Sequence, residues 1–291
     1  MIHNIYLYIV ICIIIIILCV YLHNKYFLWK LALSNNRYIL STEKYNLGKL
    51  YNIPRIIWMF WDKGFDNCPL ICKYCVKSWK HYNPDWEVRI LDNNSIYNYI
   101  DPSLINKIKQ KVNRDILHIA GFSDFIRICL LAKYGGVWAD ITTFCNKPLN
   151  EWINHTGQYG FFSPIYLWRI PFIPKYISSW FIIAPKNSLL CTQIRDEFIK
   201  FILHSEKKVH YFSFHFCINK LVTSDEKIKN IWSKIPFMNT RYPHLFFYYS
   251  YSKDWKLDID NHNTPLYKLT YKIKNHMNDP FIRYLLQKIN I

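Results

Sequence analysis

The chain has 291 residues, 51% of them hydrophobic and 18% aromatic, and its 37 basic and 20 acidic residues give a net charge of +17. The basic residues are scattered, and no recognition helix, zinc finger or single-strand-binding motif accompanies them. We therefore leave nucleic acid out of the expected partners. Nine cysteines, an odd number, lie in apolar runs, which argues against a disulfide framework and favours a reducing compartment.

The chain begins with an apolar segment, Ile5 to Leu22, of eighteen residues without a charge. A helix of this length covers about 27 Å, so we predict a retained single-pass membrane anchor in residues 1–30, with membrane lipids as partners. A cleaved signal peptide is the alternative. Residues 31–44 are interpreted as a juxtamembrane linker, and residues 45–291 as one catalytic domain.

Basic residues after this segment, Lys25, Lys30 and Arg37, predict that the domain faces the cytoplasm. Two glycosylation sequons, at Asn93 and Asn154, favour the opposite side. In so asparagine-rich a chain we interpret them as accidental.

The first predicted strand is the apolar run Arg55 to Phe60. Trp61 to Gly64 follow as the loop at its carboxyl end, the usual ligand side of an open α/β sheet. Further on, Cys68, Cys72 and Cys75 could bind a metal, but they lack a fourth ligand at a suitable spacing. A buried helix face is the preferred interpretation for them.

The later pattern alternates strand and helix signals. Glu87 to Leu91 is a predicted strand, whereas Ser95 to Lys111, Leu189 to Leu203 and His210 to Leu221 are predicted helices. Within the last of these, His215 is interpreted as a hydrogen-bonded core histidine rather than a ligand of the substrate.

The centre of the chain is Ile119 to Pro148. Apolar residues recur at helical spacing from Ile119 to Lys133, with Asp124 and Arg127 off the apolar stripe but neighbours on the helix surface. They could pair with each other or face a polar ligand together. Gly135 and Gly136 then provide the left-handed conformation that ends a helix.

A strand is predicted from Val137 to Phe144, with Trp138, Asp140 and Thr142 on one face. An acid in such a strand must be paired or bind a metal. A salt bridge from Asp140 to Arg127 that only fastens the helix to the strand is the structural alternative, and the residue types alone do not decide between the two.

These residues resemble a known signature, that of capsular polysaccharide synthesis proteins, relatives of glycosyltransferases with a DXD motif. The matching positions are Ser123-Asp124, Arg127, Tyr134-Gly135-Gly136-Val137-Trp138, Asp140 and Lys147-Pro148-Leu149, with further blocks at Ile53 to Trp58, Trp61, Ser78-Trp79, Asn83 to Trp86, Tyr211 to His215 and Lys268 to Lys272. The chain departs from the motif at one position, which reads Asp140-Ile141-Thr142.

The resemblance implies an α/β fold, a three-layer GT-A-type nucleotide-diphospho-sugar transferase sandwich, here behind the N-terminal transmembrane helix. It also implies a retaining hexosyltransferase that moves a sugar from a nucleotide-sugar donor to a glycan or glycolipid acceptor. A membrane-tethered carbohydrate-binding or scaffold protein that lost turnover is the main alternative, because only one carboxylate remains in the motif.

The resemblance also implies roles for individual residues. Asp140 would hold a divalent cation, Mn²⁺ or Mg²⁺, with a contribution from the hydroxyl of Thr142 and a weaker one from His262. Asp124 would bind hydroxyls of the donor, and Arg127 would orient the donor or meet its diphosphate. The other expected donor-binding residues are Trp61, Gly135, Gly136, Lys268 and Lys272.

Overall fold

The structure is a computed structural model without ligands. It describes residues 6, 8, 10–21, 52–157, 160–166, 176–235, 238, 240, 242–247, 254–262, 264–272 and 278–291. The predicted linker, residues 31–44, lies outside the described residues.

Strands and helices alternate through the described chain. The strands are β1 (Ile56–Phe60), β2 (Glu87–Leu91), β3 (Gly136–Ala139), β4 (Thr143–Cys145), β5 (Ile165–Tyr166), β6 (Tyr176–Ile177), β7 (Phe181–Ala184) and β8 (Leu266–Lys268). The helices are α1 (Leu70–Tyr82), α2 (Pro102–Asn113), α3 (Ile119–Tyr134), α4 (Ile153–Gly157), α5 (Leu189–His204), α6 (Ser213–Ser224), α7 (Glu226–Ser233), α8 (Trp255–His262) and α9 (Pro280–Gln287).

The central sheet has four strands in the order β2-β1-β3-β7. Strand β1 pairs in parallel with both β2 and β3, and β7 adds an antiparallel edge to β3. Two small antiparallel pairs, β4-β8 and β5-β6, lie outside this sheet. The strands predicted at Arg55 to Phe60 and Glu87 to Leu91 are therefore confirmed as neighbours.

Successive residues of a strand point to opposite faces of the sheet, and a separate cluster of buried hydrophobic side chains covers each face. Ile57 and Val137 belong to a cluster that includes the buried side of α1, whereas Trp58 and Trp138 belong to a second cluster with α3 and α5. A sheet covered by helices on both faces is the three-layer α/β arrangement expected from the sequence.

The predicted membrane anchor is not supported. Residues 6, 8 and 10–21 are helical and exposed. Among the described residues, no helix is long and apolar enough to cross a membrane. The prediction of a single-pass membrane protein is therefore wrong for the part of the chain that the structure describes.

The described cysteines are free thiols, and those outside the N-terminal segment are buried. Cys68, Cys72 and Cys75 lie beside or on α1 in the core, as the helix-face interpretation predicted. Burial raises the pKa of Cys72 to about 12, so this thiol stays protonated at neutral pH.

A double glycine turn joins α3 to β3. Gly135 and Gly136 have φ of 68° and 94°, in the region that favours glycine, as predicted. The Gly135 carbonyl accepts a hydrogen bond of 2.9 Å from Nε1 of the buried Trp58. A Cβ at Gly135 would lie 2.4 Å from the backbone nitrogen of Lys186, so the turn is closely packed against backbone.

This packing predicts a large effect of Gly135→Ala on stability. Gly64 provides a matched control, since its φ is 82° but a Cβ there would meet its nearest atom only at 3.6 Å. Gly64→Ala should cost about 1–3 kcal/mol for the backbone conformation alone. Gly135→Ala should lower the free energy of unfolding by about 1–3 kcal/mol more, because backbone has to move. Urea unfolding of the two variants checks this, and equal costs would contradict it.

Candidate active site

The strand β3 ends at Ala139, one residue before the acid. The Asp140 backbone N–H donates to the Trp180 carbonyl (2.8 Å), and the Asp140 carbonyl accepts from the Thr143 N–H (2.8 Å), which closes a turn. The continuous strand predicted from Val137 to Phe144 is therefore wrong. The chain leaves the central sheet at Asp140 and resumes as β4, which pairs with β8.

The Asp140 carboxylate is held by three donors. Its Oδ1 accepts from Arg127 Nη2 (2.8 Å) and Trp138 Nε1 (3.0 Å), and its Oδ2 accepts from Lys268 Nζ (2.7 Å). Burial alone would raise the pKa of Asp140, but the positive charges of Lys268 and Arg127 outweigh it and hold that pKa well below its usual range. The group is ionised throughout the physiological range.

Lys268 also contacts the second residue of the motif. Its Nζ lies 2.8 Å from Thr142 Oγ1, so the ammonium bridges Asp140 and Thr142. The backbone fixes this position, because Lys268 faces Thr143 in the β4-β8 register and the Leu269 N–H donates to the Thr142 carbonyl (2.9 Å). Only 18% of the Lys268 side chain is exposed.

Arg127 and Asp124 form a buried ion pair on α3. The Nη1 of Arg127 donates to Asp124 Oδ1, and the guanidinium lies 5.1 Å from the ring centroid of Trp138. Both side chains are buried, although the sequence places them off the apolar stripe. Burial raises the pKa of Asp124 to about 6, against the lowering effect of Arg127. The salt bridge between Arg127 and Asp140, which the sequence left as the structural alternative, is present at 2.8 Å.

These groups line a cavity of about 890 Å³. It opens at the carboxyl ends of two parallel strands, because Trp61 follows β1 and Asp140 follows β3. Trp61 contacts Tyr271 edge to face, with ring centroids 5.3 Å apart. A volume of this size lies within the range of small-molecule and cofactor sites, and the mixture of charge and aromatic surface suits a polar ligand with ring systems.

The structure brings most of the predicted site residues into this one cavity. Those lining it are Trp61, Asp124, Arg127, Asp140, Thr142, Lys268 and Lys272. Gly135 and Gly136 instead lie where α3 gives way to β3, packed against backbone atoms and against Nε1 of Trp58. His262 is the last residue of α8, and its side chain lies outside the described part of the structure.

The cavity also contains aromatic and histidine side chains that sequence reasoning did not assign to it. His118 caps α3, where its Nδ1 accepts from the Gly121 N–H (2.9 Å), and its ring stacks on the exposed ring of Tyr211 at 5.0 Å. The position of His118 just before the predicted helix was the only feature of the sequence that could have indicated this capping role. His215, interpreted as a core residue, and His244 also line the cavity.

Burial lowers the pKa of both of these histidines. The desolvation of His215, with the nearby charge of Arg127, lowers its pKa to about 4. The desolvation of His244, with the charge of Lys268, also lowers its pKa to about 4. Both rings are neutral at pH 7.

The donor atoms around Asp140 fit a divalent cation poorly. Asp140 supplies the carboxylate of the motif, and both of its oxygens already accept hydrogen bonds from positively charged groups. The ammonium of Lys268 lies between Asp140 and Thr142, the two side chains expected to hold the metal. Among the described residues, no group of three or more His, Cys, Asp or Glu side chains is placed to hold a metal ion. The metal site remains a prediction from the resemblance.

Sequence relatives carry transferase names but match only part of their own length. The glycosyltransferase afumC of Aspergillus fumigatus is 35% identical over 103 residues, which cover 33% of this chain and 26% of that protein. The initiation-specific alpha-1,6-mannosyltransferase of Saccharomyces cerevisiae is 29% identical over 109 residues, covering 34% of this chain and 22% of that protein. The chain thus spans about a quarter of the length of these relatives.

A family model and a solved structure extend the comparison. The PaToxG glycosyltransferase structure covers 74% of this chain and 85% of its own, with 16% identity and a TM-score of 0.45, which is too low to establish a shared fold. The model of the capsular polysaccharide synthesis proteins matches residues 22–288. That match covers most of the sequence and includes every residue of the cavity. The chain therefore belongs to the capsular polysaccharide synthesis protein family.

Proposed function

We propose that the protein is a glycosyltransferase that moves a hexose from a nucleotide-sugar donor to a glycan or glycolipid acceptor, with retention of anomeric configuration. The observation that carries the proposal is the convergence of Asp124, Arg127, Asp140 and Lys268 in one cavity of about 890 Å³. Membership of the family supports it, as do the names of the relatives.

The position of the cavity supports a GT-A-type mode of donor binding. In open α/β sheets, ligands bind beyond the carboxyl ends of parallel strands. Trp61 and Asp140 occupy such positions after β1 and β3. The aromatic pair of Trp61 and Tyr271 would hold the nucleobase, and Asp124 would accept hydrogen bonds from sugar or ribose hydroxyls.

The charges of the cavity suit the leaving group. When the bond between the sugar and the diphosphate breaks, negative charge accumulates on the diphosphate. Lys268, Lys272 and Arg127 all line the cavity, and Arg127 donates to Asp140. Preorganised cations of this kind stabilise the departing nucleoside diphosphate without reorganising during the reaction.

Release of nucleoside diphosphate tests the function directly. The full chain is incubated with UDP-glucose, UDP-galactose and GDP-mannose, with and without simple sugar acceptors, and the free nucleoside diphosphate is measured. The enzyme should release it from at least one donor. A protein that raises its melting temperature with a donor but never releases the diphosphate would instead be the inactive carbohydrate-binding alternative.

Changing Asp140→Asn should abolish most turnover. The variant keeps the shape of the side chain and removes the charge that holds Lys268 and Arg127 in place. We expect turnover to fall about a thousandfold, equivalent to roughly 4 kcal/mol of transition-state stabilisation. Turnover and melting temperature are measured on the same samples.

The surface ion pair of Asp115 and Lys208 supplies the control. Its two atoms lie 2.7 Å apart on exposed side chains, so Asp115→Asn should change neither turnover nor melting temperature measurably. If Asp140→Asn melts earlier but keeps full turnover, Asp140 has only the structural role of fastening α3 to the turn.

Donor affinity should depend on pH through Asp124. Because burial raises the pKa of this carboxyl to about 6, it is ionised at pH 7 and takes up a proton as the pH falls to 5. A protonated carboxyl is a weaker acceptor for hydroxyl groups, so the affinity for a nucleotide sugar should fall by up to about tenfold per pH unit below 6. His215 and His244, with pKa values of about 4, stay neutral in this window. Calorimetric titrations from pH 5 to 8 measure the effect, and an unchanged affinity over this range contradicts the role of Asp124.

A further inference from the structure

The position of the Lys268 ammonium has a chemical consequence for the motif. Its Nζ lies 2.7 Å from Asp140 Oδ2 and 2.8 Å from Thr142 Oγ1. These are the distances of charge-assisted hydrogen bonds. The two side chains from which a metal site was expected are therefore already bridged by a cation that belongs to the chain.

With the Lys268 ammonium included, the motif of this chain has the same net charge as a DXD motif with a bound divalent cation. Two carboxylates and a divalent cation sum to zero, and so do one carboxylate, one neutral hydroxyl and one ammonium. This chain has Thr142 where the DXD motif has its second acid, and Lys268 lies against both residues. The charges of Lys268 and Arg127 are already balanced by the carboxylates of Asp140 and Asp124. A divalent cation added at the same place would therefore carry an excess of positive charge into a partly buried site and would be repelled by both side chains.

The ammonium is also free to act on a ligand. A lysine ammonium has three hydrogens to donate, and within the described part of the chain Asp140 and Thr142 accept two of them. Lys268 lines the cavity, so the third is available to an oxygen of a bound diphosphate. The strand pairing of Thr143 with Lys268 keeps the lysine backbone in place.

We propose that Lys268 replaces the divalent cation of the DXD motif, so that this enzyme transfers its sugar without a metal ion. The inference rests on the proposed function. In the reaction, the bond between the anomeric carbon and the diphosphate oxygen breaks and its electron pair stays on that oxygen, whose charge Lys268 neutralises. The acceptor hydroxyl oxygen bonds to the anomeric carbon and its proton leaves to solvent. Asp140 then positions the lysine instead of a metal.

The first test removes metal from the full chain. Protein treated with EDTA and passed over a chelating resin is assayed for release of nucleoside diphosphate from the same three donors, with EDTA present and with added MnCl₂ or MgCl₂. Turnover in EDTA should stay within about twofold of turnover with metal. A loss of more than about tenfold in EDTA that manganese restores would overturn the inference.

The second test changes Lys268 alone and then Lys268 together with Thr142. Lys268→Met removes the charge at similar length and should lower turnover about a hundredfold or more, the usual effect of losing one preorganised stabilising group. Lys229→Met, on an exposed lysine paired with Glu226, is the control and should keep full turnover. The double variant Thr142→Asp with Lys268→Met restores the second acid and removes the ammonium, so its turnover should become dependent on manganese.

A binding measurement separates the possible failures. Calorimetric titration of metal-free protein with MnCl₂ should detect no site on the wild type and a site on the double variant, with circular dichroism to show that both are folded. Manganese that binds the wild type tightly and is lost in Asp140→Asn overturns the inference whatever the activity. A wild type that turns over only with manganese overturns the inference alone, whereas a wild type that releases no nucleoside diphosphate under any condition overturns the proposed function and the inference with it.

Discussion

The pairing of one carboxylate with two cations is the constraint on which the rest of the site depends. Asp140 is partly removed from water, and a buried charge that loses a partner is strongly destabilising. Arg127 reaches it from α3, and Lys268 reaches it from a strand 128 residues further along the chain. The glycine turn, the end of β3 at Ala139 and the pairing of β4 with β8 are what bring the three together.

Local pattern predicted the elements that surround this cluster. Helical spacing of apolar residues from Ile119, and glycine at the end, are properties of consecutive residues, so the helix and its termination at Gly135 followed from them. Strands β1 and β2 followed in the same way from the pattern of short segments, whereas β7 was not predicted. The cluster residues Asp124, Arg127, Asp140 and Lys268 were named because the family motifs place them, although spacing alone gave no distance between them.

Features set by distant partners could not be predicted. The sequence from Val137 to Phe144 reads as one strand, but its backbone bonds to Trp180 at Asp140 and to β8 from Thr143 onward, and both partners are remote in the chain. Asp124 lies off the apolar stripe of its helix, yet it is buried because other elements cover that side of α3 as well. His244 comes from a segment without regular periodicity, so no local signal placed it in the cavity.

The long separation between Asp140 and Lys268 also has a consequence for biosynthesis. A ribosome completes the segment from Ile119 to Cys145 well before it reaches Lys268, so the emerging chain holds Asp140 and Arg127 without their third partner. Domains fold as units during synthesis, and contacts between distant segments form late. The cluster of Asp140, Arg127 and Lys268 therefore cannot be complete until the segment that carries Lys268 has left the ribosome.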